Sequence, residues 1–375
     1  MRPNLVCPRL VSVRACVCGV AFLGVSATHA QYTAAVLHPA GYVDSQGKGV
    51  GTPYQVGNAE DALTGLAHAL LWTGTPGSVV DLNPPGFTAS YAEAALGLTQ
   101  VGRALDGITG NWHAFIWGGS AGSGLDLNPV GYYSSEAYAA DGLYQYGFGA
   151  AIGIDYNRAL RWEGSHDKAI NMHPLTGGYT NSWIYGAGGG LQAGPADGPG
   201  LSVRAMLWAS TPESALSLHP PGYTMSLARD TDGIQQVGEA TVPEGLTHAM
   251  LWSGTAGSAV DLNPPGFSES YATSVAGGQQ VGAGKGPFGI WSHALLWEGT
   301  PESYLDLHTF LPPGFTGSAA WGIDGAGNIV GTALDAGFHS YAVVWFVPEP
   351  GAGLLLTVGA LLAALRRGAV RTCGA

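Results

Sequence analysis

His68-Ala69-Leu70-Leu71-Trp72 returns as His113-Ala114-Phe115-Ile116-Trp117, as Arg158-Ala159-Leu160-Arg161-Trp162 and as Arg204-Ala205-Met206-Leu207-Trp208. Three more copies end at Trp252, Trp297 and Trp345. Seven copies at steps of 44 to 48 residues make this a repeat protein. Each unit carries two companion phrases. One reads Leu82-Asn83-Pro84-Pro85-Gly86-Phe87, with relatives starting at Leu37, Leu127, Met172, Leu218, Leu262 and Leu307. The other is Gln100-Val101-Gly102, with relatives starting at Gln55, Gln145, Gln192, Gln236, Gln280 and Ile329.

The Leu-Leu-Trp phrases are short, apolar and β-prone, and they lie between Gly-rich turns such as Thr73-Gly74-Thr75-Pro76-Gly77. A second strand is expected at Val79-Val80-Asp81-Leu82. Pro84-Pro85-Gly86 would stop it, because proline cannot donate to a ladder. A third strand is expected from Ser90 to Leu96 and a fourth around Gln100-Val101-Gly102. Four short strands in about 45 residues is the period of a propeller blade. Strands apolar on both faces suit blades that pack face to face.

The ends of the repeat body separate a ring from an open stack. A linear stack needs polar capping units. Here the body starts at a second phrase, Leu37-His38-Pro39-Ala40-Gly41-Tyr42, and ends at a first phrase, Tyr341–Trp345, that lacks its second. The two ends are complementary halves of one unit. The expected fold is all-β: a seven-bladed β-propeller over residues 31–347. An N-terminal strand near Ala35–Leu37 would close it beside Val343–Trp345, removing two unpaired edges.

Composition agrees with this class. Charged residues are 11% and apolar residues 46%, which argues against disorder. With 60 glycines and 23 prolines, tight turns are favoured over helices. Residues 31–347 keep 8 of the 14 basic residues and 25 of the 26 acids, a formal charge of 8 − 25 = −17. So acidic a body repels phosphates, and no nucleic-acid partner is expected. The four cysteines, Cys7, Cys16, Cys18 and Cys373, all lie outside the body, which excludes a disulfide framework or thiolate metal site within it.

Residues 1–30 read as a secretory signal peptide. Arg2, Arg9 and Arg14 precede an apolar run from Ala15 to Val25, and Thr28-His29-Ala30 places cleavage between Ala30 and Gln31. At the other end, residues 348–375 hold Pro348, Glu349 and Pro350, an apolar run over 351–365, then Arg366 and Arg367. As a transmembrane helix that run would cover roughly 22 Å, short for a bilayer core of about 30 Å. This order of Val-Pro-Glu-Pro, apolar helix and basic cluster resembles the PEP-CTERM sorting signal. The resemblance implies processing by exosortase after transient anchoring in the inner membrane. It also implies delivery to the surface or extracellular matrix of a Gram-negative-type bacterium. The tail departs from the usual pattern in continuing past the arginines to Ala375. The body is similar to HAF-type probable extracellular repeats, most closely at His113-Ala114-Phe115 and Asp324-Gly325-Ala326-Gly327-Asn328-Ile329-Val330-Gly331. That likeness implies an exported β-rich protein and no activity.

Candidate sites follow from what breaks the repeat. The seven phrase tryptophans are expected to fill the gaps between blades. Trp112, Trp183, Trp291 and Trp321 lie outside the phrase and are the candidates for ligand contacts. His68, His113, His248 and His293 are equivalent, and His38, His173, His219 and His308 share a position with Asn83, Asn128 and Asn263. A His/Asn exchange suits a side chain that hydrogen-bonds a turn, so no metal is expected. Asp81, Asp126, Asp261 and Asp306 are expected to serve turns or a solvated rim, and Asp230-Thr231-Asp232-Gly233 a plain turn. No Ser-His-Asp signature, nucleophile elbow or phosphate loop is present, and no cofactor is expected. The sequence therefore favours a non-enzymatic binding or scaffold module at the cell surface, associated with extracellular polysaccharide or a surface protein. The alternative is a propeller-type glycan hydrolase or lyase. It would use broken symmetry in the segment 176–200 or at Asp230, Asp232 and Glu239.

Overall fold

A computed structural model of the chain describes residues 32–154, 156–198, 200–287 and 292–347. The expected signal peptide, the sorting segment and the helix over 351–365 lie outside these residues. The repeat forms seven antiparallel sheets around one axis. Blade one runs outward through Tyr42–Gly51, Tyr54–Asp61, Ala67–Trp72 and Val80–Asp81. The next five blades occupy 87–126, 132–171, 181–217, 225–261 and 269–306. Blade seven combines Phe315–Ile323, Ile329–Asp335 and Ser340–Phe346 with Thr33–Val36. Among the described residues helical structure is limited to seven short 3-10 turns.

The N-terminal strand closes the ring as expected. Thr33–Val36 pairs antiparallel with Ser340–Phe346, from Thr33 opposite Phe346 to Val36 opposite Val343. Leu37 then donates its N–H to Ala342 O at 2.7 Å, as Leu82 donates to Ala69 O at 2.8 Å. Residues 33–37 thus stand in blade seven where 80–82 stand in blade one. The strand expected at 79–82 is the outermost and has only two paired residues, Val80 and Asp81. The strand expected from Ser90 starts earlier, at Phe87, and is the one nearest the axis.

Seven hydrophobic clusters fill the interfaces between blades, and each holds one phrase tryptophan. All seven indoles are at most 1% exposed. Burying a ring of this size contributes about 4–6 kcal/mol before conformational entropy is counted. The expectation that these residues are core is met.

A second repeated device sets blade against blade. A buried serine on each inner strand accepts the N–H of the phrase alanine in the preceding blade. Ser90 accepts from Ala69 at 2.9 Å, and Ser270 from Ala249 at 3.0 Å. Ser45 accepts from Ala342 at 2.9 Å, across the closure. Each serine then passes its own proton to the Asn/His position. Ser90 donates to Asn83 Oδ1 at 2.8 Å, and Ser45 and Ser182 lie 2.8 Å from Nδ1 of His38 and His173. The other side of the same group reaches a turn carbonyl: Asn83 Nδ2 to Phe87 O at 3.2 Å, His173 Nε2 to Tyr179 O at 3.2 Å. A neutral histidine carrying its proton on Nε2 presents the same acceptor and donor as asparagine, which suits the exchange at His173, whereas Nε2 of His219 meets the Arg204 guanidinium and accepts.

Strand direction defines two faces. At the hairpin face the inner strand turns into the second, as at 51–54 in blade one. At the loop face the second strand passes into the third, as at 61–67. Phe346 lies opposite Thr33, and Tyr32 Oη donates to Gly327 O in a hairpin at 3.3 Å. Both ends of the described body therefore lie at the hairpin face.

Candidate functional site

The site begins with a glycine. A Cβ on Gly102 would lie 1.9 Å from Tyr91 O, and one on Gly282 would lie 2.0 Å from Tyr271 O. The glycine of each Gln-Val-Gly phrase so lets the inner strand press against the second, and there the inner strand bulges. The pairing skips one residue at Gly47/Gly49, Ala92/Ala94, Ala137/Ala139, Ala228/Asp230, Ala272/Ser274 and Ala320/Gly322. In blade four the inner strand is interrupted instead, between Ser182 and Gly186. A bulge re-aims the side chain it carries. The seven residues placed this way are Lys48, Glu93, Tyr138, Tyr185, Arg229, Thr273 and Trp321, and all line an axial cavity of about 340 Å³. No two are alike.

Around blades two to four these residues form a polar-aromatic cluster. Arg103 Nη1 lies 2.8 Å from Glu93 Oε1 and 3.1 Å from Glu136 Oε2. It also donates to Tyr138 Oη at 3.1 Å, while Tyr138 Oη donates to Glu136 at 2.8 Å. The guanidinium stands 4.5 Å from the Tyr91 ring centre and 5.4 Å from that of Trp112. Burial drives the Tyr138 phenol well above its ordinary value and Tyr185 up to about 12, so both stay neutral. Phe148 stacks on Tyr138 and meets Trp183 edge-on at 6.3 Å.

Across the axis, Arg229 binds Glu239 through two nitrogens at 3.0–3.2 Å. Lys48 Nζ sits 4.3 Å over the Trp321 ring, and among the described residues it has no ion pair. Burial pulls its ammonium below the usual lysine range; Glu93 opposes this, and Arg103 and Arg229 add to it. Trp321 Nε1 donates to Thr332 Oγ1 at 3.2 Å, and its ring lies 6.1 Å from that of Tyr271.

Of the candidates read from sequence, Trp112, Trp183 and Trp321 are half-buried, unlike the wholly buried phrase tryptophans, and Trp321 lines the axial cavity. They do not form one group: Trp112 and Trp183 belong to the first cluster and Trp321 to the second. Trp291 lies outside the described residues, as do Ala30, Gln31, Pro348, Glu349, Pro350, Arg366 and Arg367. The four equivalent histidines each pair with a recurring aspartate, His68 with Asp81 at 2.7 Å and His293 with Asp306 at 2.9 Å among them. The other oxygen of each aspartate caps the following turn, as when Asp81 Oδ1 accepts Asn83 N–H at 2.7 Å. Among the described residues no group of three or more His, Cys, Asp or Glu side chains is placed to hold a metal.

Of the three acids of the catalytic alternative, Asp230 and Asp232 line the axial cavity and Glu239 lines the cavity beside it. Asp232 caps its own hairpin through Ile234 and Gln235, and Glu239 is held by Arg229. Asp230 is half-buried, and desolvation pushes its carboxyl up to about 6 against hydrogen bonds from Ser274 at 2.7 Å and Val275 at 3.1 Å. The residues that sequence reasoning missed are Tyr91, Arg103, Tyr138, Tyr271 and Lys48. Their signal is in the repeat alignment. One and three places after the framework serine, and one place after Gln-Val-Gly, the seven units disagree while their neighbours agree.

No family model matches the chain, and no curated protein matches it. Solved structures share its fold. The β-propeller domain of the Trilobed protease from Pyrococcus furiosus is 8% identical, with a TM-score of 0.54 over 81% of this chain and 95% of that one. That domain is described as having an open velcro topology, whereas here residues 33–36 complete blade seven. Puromycin hydrolase matches at 11% identity and a TM-score of 0.54 over 83% of this chain. A prolyl endopeptidase matches at 11% and 0.54 over 82%. The chain spans about half the length of these last two proteins, 55% and 51%. At such identities the likeness is one of fold.

Proposed function

We propose that the protein is an exported, non-enzymatic binding module of the cell surface or extracellular matrix, associated with extracellular polysaccharide. The observation that carries this reading is the division of labour within the repeat. Gln, Gly, Ser and Trp positions are held nearly constant and build the frame, while the positions that line the axis and the adjoining clefts vary from blade to blade. A mouth of tyrosine, tryptophan, arginine and carboxylate side chains on a rigid frame suits recognition of a polar ligand with apolar faces.

The charges support binding over hydrolysis. Glu93 and Glu136 are tied to Arg103, and Glu239 to Arg229. Carboxylates held in this way are not free to serve as an acid and base pair across a glycosidic bond. The hydrolase or lyase alternative rests on Asp230, the one acid among the described residues that burial pushes up toward neutral pH.

On this reading the segment around Pro348, Glu349, Pro350, Arg366 and Arg367 delivers the protein through exosortase, after transient anchoring in the inner membrane. Val347 follows Phe346 at the hairpin face, so an anchor beyond it would hold that face toward the bilayer and leave the loop face outward. The test is a binding screen of the purified exported protein against native exopolysaccharide and surface proteins, with product analysis on the same sugars. Saturable binding without cleavage is expected. Release of shorter glycans, abolished by Asp230→Asn, would install the enzymatic alternative. Intact mass of the exported form checks removal of residues beyond the sorting motif.

A further inference from the structure

We propose that the loop face of blades five to seven carries a groove for a neutral oligosaccharide, floored by Tyr271 and Trp321; this rests on the binding reading above and assigns its site and ligand class. Two cavities open there. One, of about 340 Å³, lies between blades five, six and seven, and the other, of about 300 Å³, between blades six, seven and one. Both are lined by Tyr271, Ser292 and Trp321, so they meet along one line. Each falls at the lower end of the size range of small-ligand pockets, and together they suit a short chain of sugar rings.

The floor is held rigid before any ligand arrives. Trp321 is fixed through Nε1 by Thr332 at 3.2 Å and carries Lys48 4.3 Å over its ring from the axial cavity. Tyr271 lies 6.1 Å from Trp321 and 6.0 Å from the guanidinium carbon of Arg229, which Glu239 locks in place. Rings that need no ordering keep more of their contact energy as affinity. Beside them the lining offers hydroxyls and an amide, including Thr332, Ser340 and Gln46, suited to sugar hydroxyls.

Charge selects the class. The first cavity is lined by Arg229 and Lys285 on one side of the balance and Glu239 and Glu269 on the other. Glu269 stands directly opposite Lys285 across the blade. Among the described residues the second cavity is lined by no charged side chain. The groove is therefore balanced within a chain of formal charge −12, which repels polyanions. A neutral pyranose chain meets aromatic faces and hydroxyl partners there without a Coulomb penalty.

Calorimetric titration of the whole exported protein with neutral hexose and pentose oligomers, size-matched uronate oligomers and native exopolysaccharide tests this. A neutral oligomer of three or more rings is expected to bind with affinity unchanged between low and high salt. Trp321→Ala and Tyr271→Ala should each weaken it at least about tenfold, the loss of one anchoring aromatic. Trp321→Phe, which keeps a ring, should retain most of the affinity, and Trp112→Ala, in the opposite cluster, should leave it unchanged. Binding that survives Trp321→Ala and Tyr271→Ala but falls with Trp112→Ala overturns the groove and leaves the binding reading standing. Salt-sensitive binding of uronates alone overturns the ligand class. Binding of native exopolysaccharide with none of the neutral oligomers also overturns the inference, and binding of no glycan at all sinks both readings.

Discussion

Leu37→Ala tests ring closure against a control inside the same molecule. Leu37 and Leu82 hold equivalent places, both are wholly buried, and each donates its backbone N–H to a phrase-alanine region carbonyl at 2.7 and 2.8 Å. Leu82 follows the outer strand of a blade that is continuous in sequence, whereas Leu37 follows the strand that closes blade seven from the far end of the chain. If closure is as tight as the register indicates, removing either side chain leaves a similar cavity and costs about 2–5 kcal/mol. For a body of roughly 300 residues that corresponds to a fall in Tm of about 3–8 °C, if unfolding is a single transition. Urea denaturation of the two variants beside the parent, followed by tryptophan fluorescence, reads the difference. The seven phrase indoles report every blade interface at once. A cost below about 1 kcal/mol for Leu37→Ala, with Leu82→Ala inside the expected range, would refute closure, because a frayed strand has little burial to lose.

Two other outcomes concern the serine device. Ser270→Ala leaves Ala249 N–H and Asn263 Oδ1 without their partner inside an interface and should cost about 1–3 kcal/mol in the same assay; a change within 0.5 kcal/mol of zero would show the bonds contribute nothing net. Burial pulls His38, His173, His219 and His308 below the ordinary imidazole range, with Arg158 adding to this at His173, Arg204 at His219 and His293 at His308. A depressed folded value contributes stability that is complete above the unfolded pKa of about 6.5 and is lost as pH falls from there through the folded value. Two shifts run the other way: His113, raised by its hydrogen bond to Asp126, and the Asp230 carboxyl, pushed up to about 6 by burial. Stability should therefore decline below about pH 6.5, and His308→Asn, which copies Asn83, should flatten the slope; a slope unchanged by that exchange would place its origin elsewhere.

Much of the fold could be read from the sequence because the frame is written seven times. The count of blades, the closure at residues 33–37 and the burial of the phrase tryptophans all follow from phrases whose roles are local. The Asn/His exchange was legible for the same reason, since one stereochemical demand recurs at every interface. Radial position was less legible. Nothing in Phe87–Leu96 marks it as the inner strand until the Gly102 contact and the bulge at Glu93 are known, and both are relations between strands. The site was partly hidden for a similar reason. Tryptophan outside the phrase led to Trp112, Trp183 and Trp321, but Tyr91, Arg103 and Tyr271 sit inside strands whose neighbours are regular. Their distinguishing property is disagreement between units, which is visible only after the units are aligned on the serine and the glycine.

That disagreement has an energetic basis. Serine bonds and buried tryptophans hold blade to blade, glutamine and glycine set strands within a blade, and none of these types is among the bulge residues that line the axis except Trp321, in blade seven. Gln55 Oε1, for example, accepts Gly74 N–H at 2.7 Å on the hairpin side of the sheet, away from Lys48. Side chains that share no partners contribute nearly additively, so a bulge residue can change without cost to the frame. The exceptions are instructive. Arg103 joins Glu93 to Glu136, and Arg229 joins its own strand to Glu239, so each of these substitutions must travel as a set. Lys48 has no ion pair among the described residues and meets Trp321 across the closure between blades seven and one, while Trp321 is held within its own blade by Thr332. The interface that the chain makes by bringing its two ends together thus carries a lysine–tryptophan contact at positions where the repeat leaves the residue type open, which is how a repeat protein can install a site that its symmetry does not dictate.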